Sequence, residues 1–281
     1  MTHDRVALLT GANTGIGLVT ARELARQGGQ LFITCRNAGT GQAAVQRIRA
    51  ESGNARVEAL VLDLADFDSV RACAEDFLAR GLPLHLLVNN AGLAGQRGLT
   101  ASGFELAFGV NHMGPFLFTH LLLDRLRASA PARIVTVASR AHTRASALDW
   151  NALRQRTRSL TGLPEYANSK LANVLFSAEL GRRLGGSGVH TYALHPGVVA
   201  TDVWRAVPWP VRPLMKLRMI TPEEGARTPL HCASSAEVAG ETGLYYDRCR
   251  PRTPSAQARD SELAAQLWQH SLRWSGLPED G

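Results

Sequence analysis

The sequence predicts an α/β fold in which a doubly wound parallel sheet carries helices on both faces. Two observations lead to this prediction. Strand-like apolar runs alternate with amphipathic helical stretches from the first residues to about Asp247, an order typical of right-handed βαβ units. Most of the runs are continuously apolar, as expected of parallel strands that are covered on both faces.

The individual elements follow from the same two patterns. Short apolar runs predict strands at Val6–Leu9, Leu31–Thr34, Val57–Leu62, Leu84–Val88, Ile134–Val137, His190–Leu194 and Leu244–Tyr246. Apolar residues at helical spacing predict helices. These are Gly17–Arg26, Gly41–Ala50, Ser69–Arg80, Phe104–Leu126 and Pro164–Leu184, with a last helix over Asp260–Trp274.

One segment breaks the alternation. Val203–Ile220 contains three prolines and two tryptophans, and we expect an inserted loop or lid there. No internal repeat and no low-complexity linker divides the 281 residues. We therefore expect a single domain over residues 1–281.

Composition excludes several classes of protein. The chain is 45% apolar and 20% charged, within the ordinary range of globular proteins. No stretch of about 18 apolar residues could span a membrane, and the first residues lack the basic start of a signal peptide. The four cysteines show no C-x-x-C spacing, so we expect neither a metal site nor a disulfide framework, and a cytoplasmic location.

The positive charge is spread along the chain. The formal net charge is +7, but no basic block is interleaved with aromatic residues, so we expect a solvated basic surface and no nucleic-acid partner. Only two of the 31 basic residues, Lys170 and Lys216, are lysines. Because this chain uses arginine almost everywhere, a lysine indicates a place where the compact ammonium is specifically needed.

The first predicted strand leads directly into a glycine-rich turn. The strand is followed by Gly11-Ala12-Asn13-Thr14-Gly15-Ile16-Gly17, where a helix begins. Free backbone N–H groups and the positive end of the helix dipole would face an anion, and glycines allow close approach of the backbone. The turn could be an ordinary β–α connection, but its position after the first strand favours a Rossmann-type dinucleotide site.

The second strand indicates which dinucleotide is bound. A free 2′-hydroxyl is usually recognised by an acidic residue at the end of this strand, whereas a 2′-phosphate is met by arginine. Here the strand ends in Cys35-Arg36-Asn37, without an acid. A guanidinium matches a phosphate in a bidentate, charge-assisted way. NADP(H) is therefore favoured over NAD(H), the alternative being that Arg36 is an ordinary surface arginine.

Further motifs follow in order along the chain. They are Asp63-Leu64 after the third strand, Asn89-Asn90-Ala91-Gly92 at the end of the fourth, Asn111 in the helix Phe104–Leu126, Ser139 at the end of the fifth strand, Tyr166-x-x-x-Lys170, and Pro196-Gly197-Val198-Val199 with Thr201 after the sixth. Together with the glycine-rich turn they cover Val6–Thr201, and this set resembles the short-chain dehydrogenase/reductase family.

The resemblance implies a role for each motif. Asp63 and Leu64 would lie at the adenine ring, and Asn90, Ala91 and Gly92 would support the sheet and line the cofactor. Pro196, Gly197, Val199 and Thr201 would contact the nicotinamide. Residues 1–140 would form most of the cofactor half, and residues 141–281 would supply the Tyr–Lys pair, the substrate loops and the C-terminal helix.

The Tyr–Lys pair has a chemical rationale of its own. Residues 166 and 170 project from one face of a helix, and tyrosine has a reference pKa of about 10. The Lys170 ammonium, together with the positive charge of an oxidised nicotinamide, is expected to lower the pKa of Tyr166, so that the phenol exchanges the proton on the substrate oxygen. Ser139 would orient that oxygen, Lys170 would also hold the nicotinamide ribose, and Asn111 would hold a water. A tyrosine that merely packs is the alternative.

Details of the motifs are similar to those of the retinol dehydrogenase branch, near which Wwox-type oxidoreductases lie. These are Cys35-Arg36-Asn37, Val110-Asn111-His112, Ser139-Arg140-Ala141-His142, the run from Tyr166 to Asn173, and His195-Pro196-Gly197. Ser139 and Tyr166 are 27 positions apart, wider than in many members. The intervening His142–Leu163, with Leu148, Trp150 and Leu153, is expected to border the substrate cleft.

These observations predict an NADP(H)-dependent oxidoreductase that acts on a hydrophobic aldehyde or ketone, or on its alcohol. The resemblance also implies a homodimer or homotetramer formed through the helices Phe104–Leu126 and Pro164–Leu184. Two other functions stay open: a dehydrogenase of steroid-like or secondary-metabolite ring alcohols, and a non-catalytic NADP(H)-sensing interaction protein. The complete set of Asn111, Ser139, Tyr166 and Lys170 disfavours the sensor, which needs no proton donor.

Overall fold

A single eight-stranded sheet runs through the centre of the molecule. The computed structural model describes residues 5–145, 147–198 and 220–278. The strands are β1 (Val6–Thr10), β2 (Gln30–Cys35), β3 (Val57–Val61), β4 (Leu86–Asn89), β5 (Ala132–Val137), β6 (Val189–His195), β7 (Leu244–Asp247) and β8 (Arg250–Pro251). Their order is β3-β2-β1-β4-β5-β6-β7-β8, and β8 pairs antiparallel with β7 whereas the other pairs are parallel.

This order confirms the doubly wound parallel sheet and the seven predicted strands. The strand order reverses between β1 and β4, because β2 and β3 are added on one side of β1 and the later strands on the other. This is the switch point where doubly wound sheets bind their ligands. The two-residue edge strand β8 was not predicted, because a charged residue followed by proline carries no strand pattern.

Helices cover both faces of the sheet. They are α1 (Gly15–Arg26), α2 (Ala38–Ser52), α3 (Phe67–Ala79), α4 (Leu106–Phe108), α5 (Gly114–Leu121), α6 (Leu123–Ala128), α7 (Leu163–Arg183), α8 (Pro222–Ser234) and α9 (Ser261–Ser275). Core residues of α1, α2 and α8 pack on one face, and those of α3, α5, α7 and α9 on the other. Successive residues of β1 alternate between the two cores, Leu8 facing one and Leu9 the other.

The region predicted as one helix over Phe104–Leu126 is interrupted, so that part of the prediction is wrong. Between α4 and α5 the chain forms a π-helical turn over Gly109–Met113, in which the Gly114 N–H bonds to the Gly109 carbonyl. Pro115 explains the interruption, because it has no N–H for the α-helical bond to the Asn111 carbonyl. Such single π turns are frequent at functional sites.

Helix α5 approaches the loop after β3 very closely. A Cβ atom on Gly114 would lie 2.4 Å from the Leu64 carbonyl oxygen and 2.9 Å from the Leu64 Cβ. Glycine is therefore required here by contact between two backbones. Leu64 itself is in the core.

The segment between Ser139 and α7 also differs from the expectation. Leu148 and Leu153 are buried in a core cluster with Phe104, Phe108 and Leu267, and Trp150 stacks on His270 of α9 at 4.3 Å between ring centroids. These apolar side chains thus pack against the C-terminal helix, a core role that the sequence did not predict. Of the predicted lid Val203–Ile220, only Ile220 lies within the described residues.

Gly114→Ala should destabilise the protein, since the added methyl group meets backbone on the facing loop. We expect the free energy of unfolding to fall by about 1–3 kcal/mol, the usual cost of overpacking. Gly240→Ala is the matched control, because no atom lies within 4 Å of its added Cβ, and we expect less than about 0.5 kcal/mol there. Urea unfolding followed by circular dichroism measures both. Equal effects would contradict the close packing of α5 on Leu64.

Candidate active site

The turn between β1 and α1 presents backbone donors at the carboxyl end of the sheet. Gly11 and Gly15 have positive φ values of 68° and 56°. The N-cap Thr14 makes no side-chain hydrogen bond to the helix, and the first turn of α1 contains no acidic residue. Asn13 and Thr14 are exposed, and Ile16 is half-buried. Nothing in the turn therefore competes with an anion for the helix N–H groups.

This turn is fastened to the loop after β4. The Thr10 hydroxyl accepts hydrogen bonds from the backbone N–H groups of Asn90 and Ala91, each at 3.0 Å. In return, the Asn90 Nδ2 donates to the carbonyls of Thr10 at 2.8 Å and Gly11 at 3.0 Å. A Cβ on Gly17 would lie 2.1 Å from the Gly11 carbonyl oxygen. The two predicted cofactor motifs thus form one rigid unit at the switch point.

The ends of β2 and β3 lie along the same edge of the sheet. Arg36 is exposed, and its neighbour Asn37 caps α2 by accepting from the N–H groups of Gly39 at 2.8 Å and Thr40 at 3.2 Å. The side-chain oxygen Oδ1 of Asn37 therefore serves as the N-cap of this helix. The Asp63 carboxylate accepts from the Ala65 N–H at 3.0 Å and so shapes the turn after β3.

Tyr166, Lys170 and Ser139 are brought together at the ends of β5 and α7. Tyr166 and Lys170 are 8% and 4% exposed, and the Lys170 Nζ lies 5.7 Å from the centroid of the Tyr166 ring. The Ser139 hydroxyl is hydrogen-bonded to the Tyr166 side chain. The Lys170 Nζ donates to the Val137 carbonyl at 2.8 Å. This is the grouping that the sequence predicted.

Burial dominates the electrostatics of this pair. Burial raises the pKa of Tyr166, and the hydrogen bond from Ser139 opposes that effect only in part. For Lys170, burial has the opposite effect and lowers the pKa to about 7. The expectation rested on the Lys170 ammonium and the positive charge of an oxidised nicotinamide, and it left out the cost of burial. Removal of both groups from water disfavours their charged forms and dominates here.

Asn111 lies in the π turn and not in a regular α-helix. Its Oδ1 accepts from the Leu93 N–H at 2.9 Å, and its Nδ2 donates to the Leu93 carbonyl at 3.0 Å and the Ser169 hydroxyl at 2.9 Å. A Cβ on Gly92 would lie 3.1 Å from the Asn111 Oδ1 and 3.5 Å from the Lys170 Nζ. The asparagine side chain therefore joins the loop after β4 to α7, one turn from Tyr166.

The loop after β6 is described only at its two ends. Pro196 and Gly197 follow β6, and Gly197 has a positive φ of 98°. The Ile220 N–H donates to the Val198 carbonyl at 2.9 Å, which brings the two ends together. The predicted nicotinamide contacts Val199 and Thr201 lie outside the described residues.

Three buried polar residues around the site were not assigned a role from the sequence. Asn173 donates to the Val137 carbonyl at 3.3 Å, the same oxygen that accepts from Lys170. The His112 Nε2 lies 3.1 Å from the Ser271 hydroxyl in α9, and burial lowers the pKa of His112 to about 3. The His142 Nδ1 lies 2.6 Å from the Ser139 carbonyl oxygen. All three residues belong to the motifs quoted above, and their place in those motifs was the signal by which the sequence could have identified them.

Other types of site are not found in the described part of the chain. No group of three or more His, Cys, Asp or Glu side chains there could hold a metal ion. All four cysteines are free, and burial raises the pKa of the Cys73 thiol to about 12. Among the described residues, no helix combines the length and the apolar composition needed to cross a membrane.

Comparison with known proteins identifies relatives over nearly the whole chain. The family described as short chain dehydrogenase matches residues 5–151. Mouse retinol dehydrogenase 11 is 43% identical over 98% of this chain and 88% of its own, and human retinol dehydrogenase 12 is 44% identical over 97% and 87%. Bovine dehydrogenase/reductase SDR family member 13 is 45% identical over 98% of this chain and 74% of its own.

Solved structures agree with the fold. An uncharacterised protein from Mycobacterium paratuberculosis is 34% identical, with a TM-score of 0.78 over 97% of this chain and 94% of its own. The Pseudomonas aeruginosa RhlG/NADP complex is 28% identical, with a TM-score of 0.67 over 86% and 93%. With the switch-point turn and the Ser139, Tyr166 and Lys170 grouping already in place, these relatives show that the chain belongs to the short-chain dehydrogenase/reductase family, in its retinol dehydrogenase-like branch.

Proposed function

We propose that this protein is an NADP(H)-dependent oxidoreductase that interconverts a hydrophobic aldehyde or ketone and its alcohol. The observation that carries the proposal is the contact between Ser139 and Tyr166 beside the buried Lys170, at the same edge of the sheet as the glycine-rich turn. When bound, the nicotinamide would supply or accept the hydride. The residues of this chain would position the substrate and exchange the proton.

The residues at the carboxyl edge fit a phosphorylated dinucleotide. The uncapped N-terminus of α1 suits the pyrophosphate, and the exposed Arg36 suits a 2′-phosphate. Asp63 and Leu64 would lie near the adenine. The ribose and nicotinamide would be contacted by the loop Asn90–Gly92, by the ammonium of Lys170 and by the loop from Pro196 through Val199 to Thr201. NADP is named in the complex of the relative RhlG, which agrees with this choice.

Each catalytic residue has a distinct task in the proposed reaction. The Tyr166 phenol gives its proton to the carbonyl oxygen in reduction and takes it back in oxidation. Ser139 hydrogen-bonds the same oxygen and stabilises its developing negative charge. The Lys170 ammonium favours the phenolate once the proton has left. The Asn111 backbone carbonyl, which Pro115 cannot bond, would hold the water that returns protons to the site.

The class of substrate is inferred from the relatives. Two of them are named as retinol dehydrogenases, which supports an apolar carbonyl or alcohol. A ring-alcohol dehydrogenase would share the same catalytic groups, and a screen of both substrate classes followed by nicotinamide absorbance distinguishes the two. A non-catalytic NADP(H) sensor would bind the cofactor but turn over neither class.

The four free cysteines agree with the cytoplasmic location that we propose.

Arg36→Asp should weaken NADPH binding far more than NADH binding, because it removes the partner of the 2′-phosphate. A charge-assisted hydrogen bond contributes about 1.5–3 kcal/mol, or about 10- to 150-fold in affinity. The control is Arg250→Asp, an exposed arginine in β8 at the far side of the sheet from β2. Fluorescence titration with both cofactors measures the effect. An equal loss for both, or a wild-type preference for NADH, would refute the assignment.

Tyr166→Phe should abolish most turnover while NADPH affinity and folding survive. The change removes one oxygen and keeps the ring, so turnover should fall by about 10²- to 10⁴-fold, as is typical of general acid–base groups. Tyr192→Phe is the control: it removes another buried phenol, which donates to the Val238 carbonyl at 2.8 Å, outside the site. Single-turnover kinetics measures both. If Tyr166→Phe retains wild-type rates of hydride transfer, Tyr166 is not the acid.

Lys170→Arg should lose most activity and some cofactor affinity, although it keeps the positive charge. The Nζ lies 2.8 Å from the Val137 carbonyl, close to the backbone of Gly92, and a planar guanidinium is too large for this space. Catalytic groups tolerate only about 0.5 Å of misplacement. The control is Lys216→Arg, at the only other lysine, expected to be near neutral. Comparison of kcat/KM and NADPH affinity tests this, and an unimpaired Lys170→Arg enzyme would show that charge alone suffices.

A further inference from the structure

His142 lies directly behind the proposed catalytic serine. It belongs to the 3-10 turn Arg140–Arg144 that follows Ser139, and only 1% of its surface is exposed. Its Nδ1 lies 2.6 Å from the Ser139 carbonyl oxygen, and its Nε2 lies 3.2 Å from the backbone nitrogen of Ser255. The ring therefore joins the catalytic loop to the segment that precedes α9.

The two contacts fix the protonation state of the ring. A carbonyl oxygen can only accept, so the Nδ1 must carry a proton and donate it to Ser139. The Ser255 N–H can only donate, so the Nε2 must be free of a proton and accept. Only the neutral Nδ1–H form satisfies both partners. Burial lowers the pKa of His142 and so favours the same neutral form.

We propose that His142 is a positioning residue for Ser139, acting through the Nδ1–H bond while Ser255 holds the ring in the required tautomer and orientation. This inference rests on the function proposed above. The backbone N–H of His142 also donates to the Ser139 carbonyl, at 3.2 Å, so the carbonyl keeps a partner when the side chain is changed. Loss of the ring contact should therefore loosen the loop without unfolding it.

Besides kcat, the pKa of Tyr166 reports independently on the position of Ser139. The bond from Ser139 lowers the pKa of Tyr166 against the effect of burial. Tyr166 is also faced by Lys170 from its own helix and by Tyr245 from β7. The His142 ring packs edge-on against Tyr245 at 4.9 Å between centroids. A phenylalanine at position 142 keeps that ring contact and removes only the hydrogen bonds.

The test compares three substitutions at one position. His142→Phe should lower kcat by about 10- to 100-fold, the effect of a small misplacement of a catalytic group, with NADPH affinity unchanged. The pKa of Tyr166 in the pH profile should rise. His142→Asn places an amide N–H at the Nδ1 position and should recover most of kcat. His142→Gln places its amide one bond too far to replace that donor and should remain as slow as His142→Phe.

Two further variants separate this inference from its alternatives. His120→Phe removes another inward-facing histidine bond, from Nδ1 to the Phe116 carbonyl at 3.0 Å, and should lower stability without lowering kcat. Three results would each overturn the positioning role. They are an equal loss of kcat in His120→Phe and His142→Phe, equal rates for the three His142 variants, and a wild-type kcat and pH profile in His142→Phe. Ser139→Ala reports on the proposed function itself: if it keeps full turnover, the role of Ser139 is wrong, whatever His142 does.

Discussion

The burial of a lysine ammonium is the constraint on which the active site depends. Helix α7 carries Lys170 into the interior, where an unpaired charge would cost several kcal/mol. The Val137 carbonyl at the end of β5 supplies the partner, at 2.8 Å, and Asn173 donates to the same oxygen. This bond fixes α7 against β5, and hence Tyr166 against Ser139. The compact ammonium can also respond to its surroundings by losing its proton, which a guanidinium cannot do.

The second organising feature is the contact between the loops that follow β1 and β4. Parallel strands direct all their carboxyl ends to one edge, and the reversal of strand order between these two strands opens a crevice there. Thr10 and Asn90 close the floor of the crevice with four hydrogen bonds, while Asn111 links the same loop to α7. The loop proposed to bind the dinucleotide and the residues proposed to exchange the proton thus share one rigid frame, as hydride and proton transfer to one substrate would require.

Local signals in the sequence predicted the sheet, its strands and the grouping of Ser139, Tyr166 and Lys170, because each follows from short-range periodicity or from a motif. The failures involve non-local partners. The core packing of Leu148 and Leu153 was not predicted, because their partner Leu267 lies more than one hundred residues away. The π turn at Asn111 was hidden by the regular apolar spacing of Phe104–Leu126, although Pro115 signalled it. The effect of burial on the pKa of Tyr166 was not anticipated, because a sequence reveals neighbouring charges but not the depth of burial.

The position of α9 restricts how copies of this chain can assemble. Its Trp268 packs against Phe116 of α5 and Phe176 of α7, with centroid distances of 5.4 Å and 6.1 Å, and the Arg183 guanidinium lies 4.5 Å from its ring centroid. Two copies that met on the part of α5 and α7 covered by Trp268 would first have to displace α9 and expose this indole to water. Within one chain, the C-terminal helix thus already shields these apolar side chains from solvent.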